Sequence, residues 1–181
     1  MPGLKFRILL DSHKNEEVFH DILLSDNADF ETFYNTILNA FGFKGDQMAS
    51  FYVSNENWDK GEEISLVDLS EDENQTKLHI MNTTKINQFL VEQDQKYILV
   101  YDFLKMWIFL IELIGIQEDT PADPQILLSV GKNPEEESKE LSDDFQMLTE
   151  TAENEEESDE DDYGFNDFED GFSEEDLGSF Q

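Results

Sequence analysis

The sequence predicts an α+β domain of mainly antiparallel strands packed against one long and one short helix, followed by a disordered acidic tail. Three observations carry that reading. Leu4, Phe6, Ile8 and Leu10 alternate with Lys5 and Arg7, the period of a strand with one buried face. Phe30, Phe33, Tyr34, Ile37, Leu38 and Phe41 recur at helical spacing, which gathers them on one stripe. The charge is also uneven: of 44 Asp and Glu against 11 Lys and Arg in 181 residues, residues 133–181 hold 21 acids and one base, a charge of −20, and residues 1–132 carry −13. A front segment of that size can bury its own core, whereas so charged a segment does not bury enough apolar surface to offset the entropy of ordering. The expected division is a domain over 1–134 and a tail over 135–181.

Taken in order, residues 4–10 form a first strand, a polar stretch turns the chain, and Val18 to Leu24 returns as its antiparallel partner. Asp29 caps the long helix, and Gly42, directly after the last apolar position, fits a left-handed stop. Residues 50–54 and 63–69 read as strands, with Trp58 between them as a lid over the core or a surface anchor. Residues 77–81 suit a further strand and 84–90 a helix of one to two turns. Residues 96–103 and 106–114 are long apolar runs whose β-branched and aromatic content favours a strand pair. After Gln117, prolines at 121, 124 and 134 bracket an apolar island, 126–130, that can dock on the sheet.

Composition excludes several classes. There is no cysteine, so disulfide scaffolds, thiolate catalysis and iron–sulfur clusters are ruled out. Residues 97–116 are mostly apolar but contain Asp102, Lys105 and Glu112, each unfavourable by about 2.5–3.5 kcal/mol near a bilayer centre. A buried hairpin is expected there, with no membrane association, no signal peptide at the start of the chain and a cytoplasmic location. The bases of the front segment are scattered, which argues against direct nucleic-acid binding. His13, His20 and His79 show no ligand spacing, and no nucleophile–base pairing or phosphate loop is legible. Catalytic, metal and cofactor residues are therefore expected to be absent.

Two places invite chemistry. Asp102 is a carboxylate inside an apolar run, and with Tyr101 and Trp107 it outlines a candidate pocket; the plainer expectation is that Asp102 faces solvent or caps a turn. In the tail, residues 159–170 approach a calcium loop but carry Tyr163 at position 5, Asn166 at position 8 and Asp170 instead of Glu at position 12, so no EF-hand is expected. The same tail interleaves Tyr163, Phe165, Phe168, Phe172, Leu177 and Phe180 with acids, the composition of segments that order upon a partner.

The order of Phe41-Gly42-Phe43, Phe51, Tyr101-Asp102-Phe103, Trp107, Ile111, Gly131 and Pro134-Glu135 resembles the plasmid pRiA ORF-three-like family, also known as insertion-sequence passenger TnpR-family proteins. The resemblance covers roughly residues 3–136 and implies an α+β roll from a bacterial, mobile-element setting, with little implied about activity. A resolvase needs a set of arginines, and this chain has Arg7 alone. Where the family commonly places histidines, this chain has Tyr34, Gln47, Ala49 and Phe109, and Leu104-Lys105 stands where a Gly-Asp turn is common. It reads as a divergent member.

The expected function is a non-enzymatic protein-interaction or accessory module whose acidic tail binds a basic or apolar surface, on a protein partner or on its own domain. Nucleic-acid mimicry is one version of it. The alternative is a small-molecule or metal-dependent enzyme using a pocket around Tyr101, Asp102 and Trp107.

Overall fold

A computed structural model of the chain describes residues 1–12, 16–70, 78–143 and 146. The chain divides into two units, Met1–Leu141 and Ser142–Gln181. In the second, Ser142, Asp143 and Gln146 are described, with the Gln146 N–H donating to the Ser142 carbonyl at 3.0 Å. Of the expected disordered tail, residues 144, 145 and 147–181, with its candidate partner-binding aromatics and the 159–170 loop, lie outside the described residues, as does His13.

The first unit is an α+β fold built on an eight-stranded sheet. Its strands are β1 (Gly3–Asp11), β2 (Phe19–Ser25), β3 (Ala49–Ser54), β4 (Glu63–Ser65), β5 (His79–Ile80), β6 (Lys96–Tyr101), β7 (Trp107–Gln117) and β8 (Gln125–Val130). Their order across the sheet is β5-β4-β3-β6-β7-β1-β2-β8. All neighbours are antiparallel except the β4–β5 pair. The helix α1 spans Phe30–Phe41, and a short 3-10 helix spans Ile86–Phe89.

The α1 boundaries follow from local chemistry. Asp29 Oδ1 accepts the Thr32 N–H at 2.7 Å, satisfying one of the donors that the first turn leaves unpaired. At the other end Gly42 adopts φ 75 and the Phe43 N–H returns to the Leu38 carbonyl at 2.9 Å. Between the caps, Phe30, Phe33, Tyr34, Ile37, Leu38 and Phe41 are all buried.

That stripe lies on the face of the sheet formed by the alternating residues Leu4, Phe6, Ile8, Leu10, Ile22, Leu24, Phe51, Tyr97, Leu99 and Phe109. The contact is largely aromatic. Phe33 lies 4.7 Å from Phe6 and 5.6 Å, stacked, from Phe51, and Phe41 meets Phe109 edge-on at 4.8 Å. Each such ring contributes about 1.5–3 kcal/mol through burial, with about 0.5–1.5 kcal/mol more from well-set pairs.

The opposite face carries a cross-strand row of alternating charge, Lys96–Glu112–Arg7–Asp21, set by the registers of β6, β7, β1 and β2. Arg7 donates to both Asp21 carboxylate oxygens, at 2.8 and 3.0 Å, while its guanidinium lies 4.5 Å from the Phe19 ring centroid. Asp21 is thereby buried with its charge satisfied, and the pairing raises the Arg7 pKa further.

Several elements differ in extent from expectation. Residues 97–116 form the β6–β7 hairpin, and among the described residues no helix is long and apolar enough to cross a membrane. The strand expected over 63–69 ends at Ser65: the Leu66 N–H makes a last bond to the carbonyl of Ala49, where β3 begins, at 3.1 Å, and Val67 and Leu69 beyond it are exposed. The 84–90 helix contracts to one 3-10 turn. Trp58 is half-buried outside the core, at φ 59, with Lys96 Nζ 5.8 Å from its ring. The island at 126–130 docks as the edge strand β8, with an extra residue at Leu127 between the Ile22–Ile126 and Asp21–Leu128 pairs.

Gly42 and Gly131 separate two costs that glycine avoids. Both have positive φ, but a Cβ on Gly42 meets nothing within 4 Å, whereas one on Gly131 meets the Glu17 carbonyl oxygen at 2.3 Å. Gly42→Ala should lose about 1–2 kcal/mol from the left-handed backbone alone, and Gly131→Ala about 2–5 kcal/mol once the clash is added. Equal losses in urea unfolding would contradict this placement of Gly131.

Candidate functional site

The turn joining β6 to β7 holds the three residues expected to outline a pocket. Tyr101 ends β6 and is fully buried, Trp107 begins β7, and Asp102 follows Tyr101 with φ 58 and 7% exposure. The Asp102 carboxylate is committed to the turn: its Oδ1 accepts the N–H groups of Leu104 at 3.1 Å and Lys105 at 3.2 Å. Its backbone N–H donates to the Met48 carbonyl at 2.8 Å. Asp102 thus caps a turn, buried from solvent, and its side chain supports two left-handed residues, itself and Met106 at φ 57, where glycine would be the easier choice.

Tyr101 reaches the other way. Its hydroxyl donates to Glu136 Oε1 at 2.6 Å and accepts the Gly45 N–H at 3.1 Å, with Asp46 Oδ1 at 3.3 Å. Glu136 is held in turn by the Lys44 N–H at 2.8 Å, and its carbonyl accepts from Trp107 Nε1 at 3.3 Å. Residues 136–139 thus pack against the sheet, past the division expected at 134. Burial foremost, and then Glu136, raises the Tyr101 pKa. Tyr34 lies nearby, its ring 6.4 Å from that of Tyr101. Its hydroxyl is buried without a hydrogen-bond partner among the described residues, and burial, aided by Glu136 and Asp46, pushes it up to about 12.

Trp107 also lines a cleft of about 480 Å³ with Leu10, Val18, Pro134, Lys132 and Lys139, rimmed by the acids Asp11, Glu16, Glu135 and Glu140. Lys139 Nζ lies 5.2 Å from the Trp107 ring centroid and donates to the Met106 carbonyl. Desolvation lowers its pKa, with Asp11 and Asp102 pulling in the opposite direction. Tyr101 and Asp102 do not line this cleft. Of the three predicted pocket residues, Trp107 alone reaches it. Chemically it offers an apolar floor, one cation held over an indole, and a carboxylate rim.

A second cluster was not legible in the sequence. Asn133 Nδ2 donates to the Ala40 carbonyl at 2.9 Å, which turns its Oδ1 toward His20 Nε2, also at 2.9 Å. That arrangement has Nε2 donating, and Nδ1 shares the second hydrogen bond with Ser129 Oγ at 2.8 Å. The sequence shows no serine–histidine pairing because these partners are 109 residues apart and meet only through the β2–β8 register. His20 is buried edge-on against Phe41 at 4.5 Å. Ser129 does not line the Trp107 cleft, and the cluster works as a clamp, tying β8 and the following segment to the end of α1.

Three of the four positions where the resemblance implies histidines also converge. Ala49 is the register partner of Tyr101, Tyr34 packs against it, and Phe109 reaches it through Phe43, whose ring is 5.8 Å from each; Gln47 is exposed. Here the convergence point holds aromatic rings and a methyl group. Among the described residues no cluster of three or more His, Asp and Glu is placed to hold a metal ion.

Comparison with known proteins agrees with this picture of the fold. A family model described as plasmid pRiA4b ORF-3-like protein matches residues 2–177, running past residue 136 into the acidic segment. No curated protein sequence matches the chain. The crystal structure of a protein of unknown function, MM3350 from Methanosarcina mazei Go1, is similar with a TM-score of 0.63 at 14% identity, over 88% of this chain and 84% of that one. This likeness concerns the fold alone.

The buried phenols lead to a pH prediction. Tyr34, Tyr97 and Tyr101 all have folded-state pKa values raised by burial. Their stabilising contribution is fully present below about pH 10 and is lost as pH rises through the folded values. Tyrosinate absorbance from these three should therefore appear only together with loss of near-UV circular dichroism. Complete phenol titration with the dichroism intact would contradict their burial.

Proposed function

The chain belongs to the plasmid pRiA4b ORF-3-like family, and for it we propose a non-enzymatic protein-interaction module whose acidic segment engages a basic or apolar surface on a partner protein. The observation that carries this reading is the partition of charge: −17 over residues 142–181, interleaved with Tyr163, Phe165, Phe168, Phe172, Leu177 and Phe180, after a first unit, residues 1–141, at −16. Carboxylates steer a basic surface into encounter over a Debye length, and aromatic side chains supply the area that holds it there. Mimicry of nucleic acid is the version in which the carboxylates take the phosphate positions of a DNA-binding protein.

The competing reading, a small-molecule or metal-dependent enzyme, has one observation in its favour, the cleft at Trp107 with Lys139 over the ring. It draws nothing from Asp102, whose carboxylate is spent on the turn. The interaction reading uses the feature that dominates the sequence.

The test compares capture by the full chain with capture by a chain ending at Leu141, the close of the first compact unit. Each captured protein is then titrated against salt. Partners should be lost with the shorter bait, and their affinity for the full chain should fall at least about tenfold between roughly 0.05 M and 0.5 M salt. Identical capture by both baits would remove the acidic segment from the function, and affinity indifferent to salt would rule out mimicry.

A further inference from the structure

The sheet has two ends, and they differ. β5 closes one end with two residues, while β8 closes the other with six, Gln125–Val130, paired on one side with β2. Backbone groups on the outer side of such a strand are a template for another strand. Edges are commonly blunted by lysine, proline or inward charge, yet this strand reads Gln-Ile-Leu-Leu-Ser-Val, without a charge or a proline. Ile126, Leu127 and Leu128 are 47%, 46% and 44% exposed. Three consecutive exposed aliphatics are unusual in a chain where 30% of residues are charged.

We propose that β8 is a self-association edge, at which two copies of this chain pair antiparallel across a two-fold axis and join their sheets. The choice of a second copy rests on charge. Two chains of −33 each repel, and a strip without acids is where that repulsion is least at contact, the remainder being relieved by salt. An antiparallel two-fold contact also brings the N-terminal end of each strand beside the C-terminal end of the other. That sets Asp123, ahead of β8, near Lys132, which follows it, in both halves of the contact. The Ser129–His20–Asn133 clamp supports the geometry by fixing the strand to α1. The strip is short and bent by the extra residue at Leu127, so the dimer is a weak one, below the size of a standard stable interface.

This inference rests on reading the chain as an interaction module but stands apart from its acidic segment, because the two respond to salt in opposite directions. Binding of a basic partner weakens as salt rises. Pairing of two acidic chains through an uncharged strip strengthens, as the Debye length shrinks from about 10 Å at 0.1 M to about 3 Å at 1 M.

The test is sedimentation velocity of the full chain from about 10 μM to about 500 μM, a range suited to an interface of this class, at low and high salt. Mass should rise toward that of a dimer with concentration, and more steeply at high salt. Leu127→Glu and Leu128→Glu should each weaken the dimer at least about tenfold, by placing like charges across the contact. Both positions are exposed, so circular dichroism should show the fold retained, and Leu69→Glu, at a 71% exposed leucine elsewhere, should leave association unchanged. A monomer at every concentration and salt, whether because another part of the chain covers the edge or because a different protein occupies it, would overturn the proposal. So would a dimer indifferent to both β8 variants.

Discussion

The aromatic stripe of α1 pressed against one face of the sheet is the contact on which the rest of the structure depends. Phe33 meets Phe6 on β1 and Phe51 on β3, Phe30 meets Phe51 and Tyr97, and Phe41 meets Phe109 on β7. One helix thus grips four strands that lie far apart in sequence. A slip of one residue in any of these strands would turn its buried set outward, so the contact also holds the register that aligns Lys96, Glu112, Arg7 and Asp21 on the opposite face. The same economy has a consequence at the sheet edge. A single twelve-residue helix cannot seal eight strands, and β8, pinned by the His20 clamp, keeps its aliphatics exposed.

Local signals in the sequence carried much of this fold. The Asp29 cap, the six-residue apolar stripe and Gly42 define α1 within a few adjacent residues, and the alternation in residues 4–10 belongs to β1 alone. In residues 97–116 the charges of Asp102, Lys105 and Glu112 separate a buried hairpin from a membrane span, and the branched and aromatic side chains favour strands. What stayed hidden depends on distant partners. The island at 126–130 becomes a strand only because β2 has a free side, and the strand begun at Glu63 stops when β3 runs out of partners. Asp102 looked solvated or turn-capping; it caps a turn while buried, since Met48 and the Leu104 and Lys105 amides supply its hydrogen bonds. The link from Tyr101 to Glu136 and that from His20 to Ser129 and Asn133 leave no trace in spacing.

The candidate site divides along the same line. Tyr101, Asp102 and Trp107 are neighbours in sequence but face three tasks: Tyr101 anchors the segment around Glu136, Asp102 builds the turn, and Trp107 floors the cleft beneath Lys139. Positions 34, 49 and 109, where the resemblance implies histidines, converge around Tyr101 and Phe43 and hold packing side chains here. On the two proposals made above, the edge strand and the acidic segment would be complementary means of association, one favoured and the other opposed by salt.

The central claim is that α1 seals the inner face while β8 remains an open edge that pairs with a second copy. Amide hydrogen exchange of the full chain, followed residue by residue at low and high protein concentration, tests it most directly. Protection at Gln125–Val130 should rise with concentration while the amides of α1 exchange at an unchanged rate, because the helix is already sealed in each copy. Exchange in β8 that is the same at both concentrations would contradict the account.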